Sequence, residues 1–278
     1  LTYFHDLQKS TVIRIAPRSS TKNLESNIHN NWQISVNSLS TLRLDIKANK
    51  YDDTSSNLYV ALSHLEKIYY DEFSDAILAN IEGLRPIHDS DYVKITMALT
   101  NAGFKEPPKD RLRNVIRAIA NDNKIDTAKE WALNRKWDGI ARCENLFSTY
   151  FGCPDSEFCR AVGNYFTTAM AGRILNAGTK ADSIPIIIGK QGSYKSTAMA
   201  ALSPFPSSFG EIDLSQRDDN LARQIKGKLI IAIDELRGFG AKEVTAIKHF
   251  ITRQEDEWRP LWSEFTVKNQ RRCVFIAS

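Results

Sequence analysis

The residues best suited to do chemistry lie in Gly189-Lys-Gln-Gly-Ser-Tyr-Lys-Ser-Thr197. The stretch follows the phosphate-loop pattern G-x-x-x-x-G-K-[ST], except that Tyr194 stands where the second glycine belongs. In such a loop the main-chain N–H groups of Gly189, Gln191, Gly192, Ser193 and Tyr194 face the phosphates, with Thr197 closing the run. Lys195 would reach the β- and γ-phosphates, and the Ser196 hydroxyl would ligate Mg²⁺. The expected cofactors are therefore ATP and Mg²⁺. Tyrosine resists backbone conformations that glycine tolerates. It keeps its N–H, however, so the loop reads as competent but modified, with the ring turned outward.

A phosphate loop has to follow a buried strand and open a helix. Residues 183–188 supply the strand and "KSTAMAAL" the helix, whose N-terminus would also face the anion. A second strand should end in acidic residues. Leu229-Ile-Ile-Ala-Ile-Asp-Glu235 meets that requirement, with Asp234 39 residues after Lys195. Asp234 would hold Mg²⁺ through water and Glu235 would polarise the attacking water. Taken alone, Asp234 and Glu235 cap a helix after a core strand. In this order after a phosphate loop they mark the open end of an α/β sheet, where ligands bind.

The rest of the chain sets the frame. Hydrophobic content of 42% and charged content of 25% are those of a globular protein. A formal net charge of +4 is compatible with nucleic acid without requiring it. Cys143, Cys153, Cys159 and Cys273 form no C-x-x-C pair. They fit a reducing compartment better than a zinc site. No apolar run approaches the roughly 20 residues of a membrane helix. With no signal peptide in evidence, the expected location is cytoplasmic. The chain starts at Leu1 and stops at Ser278 after a strand-like run, and it reads as a piece of a longer protein.

Three regions are expected. Residues 1–57 form a polar arm or linker, with 18 Ser, Thr or Asn between 19 and 57. Residues 58–154 form a mostly helical accessory domain. In it "SNLYVALSHLEKIYYDEF" has helical spacing, and "DSDYVKITMALTNAGF" is a capped helix ending at Gly103. "PPKDRLRNVIRAIANDN" puts Leu112, Val115, Ile116 and Ile119 on one face, with Arg113 and Arg117 on another. Those arginines read as a solvated face or as phosphate contacts. Residues 155–278 form the phosphate-loop core. A long helix capped by Asp155 or Ser156 opens it, and "SIPIIIG", "GKLIIAIDEL" and "RRCVFIAS" are its buried strands. Short strands alternating with helices predict a parallel sheet covered on both faces.

Several blocks in order resemble the virulence-associated protein E family of phage and pathogenicity-island proteins. They are "YDEFSDAI", "ANDNKIDTAKEWALNRKWDGIARCENLFSTYFG", "IPIIIGKQGSYKST", "KGKLIIAIDELRGFGAKEVTAIKHFITRQEDEWRPLW" and "RRCVFIAS". The most specific are W-D-G-x-x-R at Trp137 to Arg142 and D-E-W-R-P at Asp256 to Pro260. The family is similar to superfamily 3 helicases and to phage primase-helicases. The resemblance implies an ASCE-type ATPase core that is incomplete here at its C-terminus, since the asparagine that senses the γ-phosphate would follow Ser278. It also implies work on single-stranded or origin DNA, and a homo-oligomeric, hexameric ring in the full-length protein.

In superfamily 3 relatives a hairpin before the last strand grips DNA. "DEWRPLWSEFTVKNQRRCVF" resembles one, which, with Lys248 on the helical run "AKEVTAIKHFITRQ" before it, makes Lys248, Arg259, Trp262, Lys268, Arg271 and Arg272 the DNA-binding candidates. Trp258 and Phe265 join Trp262 as aromatics that stack on bases or pack beneath the hairpin. Arg253 and Arg259 are candidates for an arginine finger toward a neighbouring subunit. The leading expectation is an ATP-dependent DNA helicase or replication-initiation ATPase of a mobile element. The alternatives are a nucleotide-regulated DNA-binding protein with little hydrolysis, and a phosphate-loop kinase. The kinase would need an arginine-rich lid, which is not found after the Asp-Glu strand.

Overall fold

The computed structural model describes residues 44–45, 50–63, 68–80, 83–233, 241–258 and 266–278; for 44–45, 241–244 and Trp258 it describes the backbone alone. Most of the expected polar arm lies outside these residues. Contacts divide the chain into two compact units that part between Thr127 and Ala128. The boundary drawn from the sequence after residue 154 therefore differs from the one drawn by contacts. Residues 128–154 fall in the C-terminal unit because Phe147 is buried there beside Phe166, Ile230 and Val274.

In the N-terminal unit, β1 (Leu44–Asp45) and β2 (Lys50–Tyr51) pair antiparallel. Helix α1 (Ser55–Ser63) ends well before the helical reading of the sequence does. The following Ile-Tyr-Tyr run is β3 (Ile68–Asp71), paired antiparallel with β4 (Ala76–Asn80). Aromatic and β-branched residues favour a pleated, half-buried surface, and here that preference overrides the helical spacing. The "YDEFSDAI" block is thus a hairpin. Its turn has Asp75 at φ 49°, a left-handed conformation that aspartate adopts more readily than most residues.

Strands β5 (Leu84–Pro86) and β6 (Lys124–Ile125) complete a sheet of order β5-β4-β3-β6, with β6 parallel to β3. Helices α2 (Asp89–Asn101) and α3 (Lys109–Asp122) share its core. The predicted face of α3 is buried at Leu112, Val115, Ile116 and Ile119. On its other side Arg113 reaches Asp89 at 3.2 Å and lies over the Tyr92 ring. Arg117 is exposed.

Asp71 ties this unit together. Buried at the end of β3, its carboxylate accepts from Phe73 N, Ser74 N and Oγ, and Thr127 N and Oγ. One side chain thus fixes both the hairpin turn and the start of α4 (Thr127–Leu133).

The C-terminal unit is a parallel sheet with helices. Helix α5 (Leu146–Phe151) leads into α6 (Glu157–Leu175), where Ser156 Oγ accepts from Cys159 N as the predicted cap. A Cβ on Gly163 would stand 2.4 Å from the Cys143 carbonyl oxygen, so only glycine lets α6 approach that loop. Strands β7 (Phe209–Ile212), β8 (Ile230–Ile233) and β11 (Val274–Ala277) run parallel in the order β11-β8-β7. Residues 185–187 add a fourth run beside β11. Ile187 N donates to Ala277 O at 2.8 Å, and Ala277 N to Pro185 O at 2.9 Å. The order across the sheet is therefore 185–187, β11, β8, β7. Every residue of β8 and β11 is buried, as continuous apolar strands between two helical layers must be.

Helices α7 (Lys195–Ala201), α8 (Asp218–Gln224) and α9 (Ala241–Thr252) flank this sheet. Before β11 stands the expected hairpin, β9 (Glu255–Trp258) with β10 (Val267–Gln270), antiparallel with Val267 opposite Trp258. Two buried arginines brace its base. Arg173 on α6 donates to the carbonyls of Thr179, Cys273 and Arg253. Arg271 pairs with Asp256 through both its Nε and a terminal nitrogen.

Candidate phosphate-binding site

The register sets Ile186 and Ile233 in one row. Ile186 is bridged to Ala277, and Ala277 pairs with Ile233. Ile186 and Ile233 thus lie in one row, two strands apart, about 9–10 Å at normal strand spacing. The phosphate loop leaves the sheet just after Ile188. The residues that follow Ile233 are Asp234 and Glu235, which lie outside the described residues.

Two residues of the loop have left-handed backbone. Tyr194, the departure from the pattern, sits at φ 57° and ψ 29°, left-handed as a glycine would be. Its side chain is 80% exposed, so the ring points away as expected. Gly192 is left-handed too, at φ 79°. A β-carbon in that region costs about 1–2 kcal/mol. Replacing Tyr194 with glycine removes this cost but adds about 0.5–1 kcal/mol of unfolded-state entropy. The expected result for Tyr194→Gly is a gain of about 0.5 kcal/mol in a denaturant titration. A loss would mean that the ring has a partner in the folded loop.

Lys195 Nζ folds over the loop and donates to the carbonyls of Gly189 at 3.2 Å and Lys190 at 3.1 Å. Ser193 Oγ donates to the same Lys190 carbonyl at 2.7 Å. Ser196 and Thr197 are exposed at the start of α7, which Met199 anchors in the core. A cavity of about 290 Å³ lies beside the loop, and Gly189, Ser193 and Lys195 line it together with Tyr150 and Phe151. Those two aromatics were not singled out from the sequence, although "LFSTYFG" contains them; an aromatic pair at a helix end looks like core.

Among the DNA candidates, Lys248 is exposed on α9. Lys268 is exposed on β10, 3.5 Å from Glu257 and 3.9 Å from Glu255. Arg271 is a correction. It is 2% exposed, donates to Phe250 O and Ile251 O besides Asp256, and lies against the Phe250 and Phe275 rings. A side chain so enclosed holds the fold and reaches no phosphate. Arg272 is half-buried and donates to Ile174 O at 2.9 Å, which also turns it inward. Arg253, a candidate finger, pairs with both carboxylate oxygens of Asp218 at 2.7 Å within its own chain. Arg259, Trp262 and Phe265 lie outside the described residues.

The W-D-G-x-x-R block forms an exposed loop knitted by its own groups. Arg142 clasps Asp138, Ile140 N donates to the same carboxylate, and Trp137 Nε1 donates to Ile140 O. The Arg142 hydrogen bond, with help from Ile140 N, holds the Asp138 carboxyl down to about 2.

The family model of the virulence-associated protein E-like domain matches residues 132–278, just over half of the chain. The chain belongs to the virulence-associated protein E-like family. The match takes in the W-D-G-x-x-R loop, the phosphate loop and the hairpin of this VapE-like domain. No curated protein matches the chain. Among solved structures it is similar to the A form apo structure of the NrS-1 C-terminal region, with a TM-score of 0.48 and 13% identity over 79% of this chain. A second apo structure of that region, residues 305–718, gives a TM-score of 0.47 at 12% identity. The VapE-like chain spans 55% and 56% of the length of those two structures. No helix among its described residues is long and apolar enough to cross a membrane.

Proposed function

We propose that this VapE-like domain is the core of an ATP-hydrolysing DNA helicase or replication-initiation ATPase of a mobile element. The observation that carries the reading is the strand order 185–187, β11, β8, β7. In it one strand separates the phosphate-loop strand from the strand that leads to Asp234 and Glu235. That order favours the ASCE-type core which the resemblance to superfamily 3 helicases implies. Lys195 would release its loop carbonyls for the β- and γ-phosphates. Ser196, exposed beside it, and Asp234 would hold Mg²⁺, whose role is to neutralise phosphate charge. Glu235 would take the proton of the attacking water. The left-handed backbone of Tyr194 supports a working loop over a decayed one.

Thermal melting with ATP and Mg²⁺ tests this. At 100 times the Kd, binding should stabilise the chain by about 2.7 kcal/mol. Lys195→Ala should remove most of that shift. In the intact protein Glu235→Gln should keep the shift and lower turnover by about 10²–10⁴, the usual contribution of a general base. An undiminished shift in Lys195→Ala would place the nucleotide elsewhere, and wild-type turnover in Glu235→Gln would reject the base.

DNA is the proposed partner, in a homo-oligomeric, hexameric ring of the full-length protein, with Lys248 and Lys268 as its remaining described contacts. Each lysine lost from a phosphate should reduce the slope of log K against log salt by about 0.7 for single strands. The expected result is a flatter slope for Lys268→Ala and for Lys248→Ala. Glu255 and Glu257 beside Lys268 work against phosphate. An unchanged slope in Lys268→Ala, with loss of binding in the Arg113→Ala, Arg117→Ala pair, would move the DNA to the N-terminal unit.

A further inference from the structure

The cavity beside the phosphate loop has two chemically different kinds of lining residue. Lys195 and Ser193 line it together with Tyr150, Phe151, Ile187 and Ile188. The cation suits a polyanion. The rings suit a flat, apolar face. Inorganic phosphate has only the first property, and a nucleoside triphosphate has both.

The aromatic lining is built in advance of any ligand. Phe147 is buried, with its ring 6.1 Å from that of Phe166 and 5.4 Å from that of Phe151. Phe151 is thereby held by the core. Gly152, at φ 67°, turns the chain immediately afterwards, and Cys153 N donates back to Phe147 O at 3.2 Å. The last turn of α5 is closed on itself, so Tyr150 is presented from a fixed support. Tyr150 is half-buried and lines the cavity. Rings fixed before binding lose little freedom when a base stacks on them.

We infer that Tyr150 is the base-stacking residue of the nucleotide site, with Phe151 as the fixed wall behind it. The inference rests on the phosphate-loop reading above and adds to it the group that distinguishes a nucleoside triphosphate from a bare polyphosphate. Phosphate contacts come from the loop; contact with the base comes from α5, which precedes the loop by almost forty residues in sequence.

Two probes separate the two kinds of lining residue. Calorimetry on the 278-residue chain would compare ATP with inorganic tripolyphosphate, both with Mg²⁺. Replacing a stacking aromatic by alanine typically weakens binding by about tenfold or more. Tyr150→Ala should therefore bind ATP about tenfold more weakly and tripolyphosphate within about twofold of wild type. Tyr150→Phe, which keeps the ring, should match wild type for both probes. Melting of each variant without ligand checks that it is folded. Wild-type ATP affinity in folded Tyr150→Ala overturns the inference, as does an equal loss for both probes, which would make Tyr150 a support of the phosphate loop. If wild-type protein binds neither probe, or if Lys195→Ala binds both unchanged, the phosphate-loop reading itself fails and the inference falls with it.

Discussion

Arg271→Ala should destabilise the chain by about 3–5 kcal/mol, because it leaves the buried Asp256 carboxylate without its cation. The guanidinium also holds Phe250 O and Ile251 O, in the final turn of α9, where carbonyls lack helical partners. Removing it exposes three sets of unmet needs at once: a carboxylate, two carbonyls, and the faces of Phe250 and Phe275. Urea titration followed by circular dichroism measures the effect. Asp256→Ala should cost a similar amount. The Arg271→Met, Asp256→Leu pair should recover most of the loss, since apolar groups of similar volume often replace a buried ion pair at little cost. A change below about 1 kcal/mol in Arg271→Ala would mean that water reaches the pair, as at exposed salt bridges. Arg271 would then return to the set of surface contacts.

The second large effect is expected in the N-terminal unit. Asp71→Ala should cost about 3–5 kcal/mol, since each buried donor left without an acceptor costs about 1–3 kcal/mol. Five donors from the hairpin turn and Thr127 converge on that carboxylate. Hydrogen exchange locates the damage, with protection of β3, β4 and the start of α4 expected to fall first. Thr127→Val removes only the hydroxyl contact and should cost about 1 kcal/mol. If Asp71→Ala and Thr127→Val are equally mild, the carboxylate is not the organiser of the turn.

Both keystones show where the sequence was legible and where it was not. The buried stripe of α3 follows from spacing alone, because one helix face repeats every three or four residues. At the phosphate-loop pattern, Tyr194 holds the left-handed backbone expected of the glycine it replaces. Arg271 was misread because a basic pair next to a strand resembles a surface. Its partner Asp256 lies 15 residues away across a hairpin, and no periodicity connects the two. The hairpin at 68–80 was misread because "LEKIYYDEF" satisfies helical spacing, while the decisive Asp71 contacts come partly from residue 127. Strand β7 and helix α8 were missed for a simpler reason. They have four and seven residues, too few to show a period.

Arg173 has a mechanical consequence. The hairpin β9–β10 has two feet, Arg253 entering and Cys273 leaving, and the carbonyls of both are pinned to this one guanidinium. The hairpin is then a cantilever riveted at its root. A load on β9 or β10 meets that fixed base. It passes as torque into β11, which carries Cys273's neighbour Val274 and runs between the phosphate-loop strand and β8.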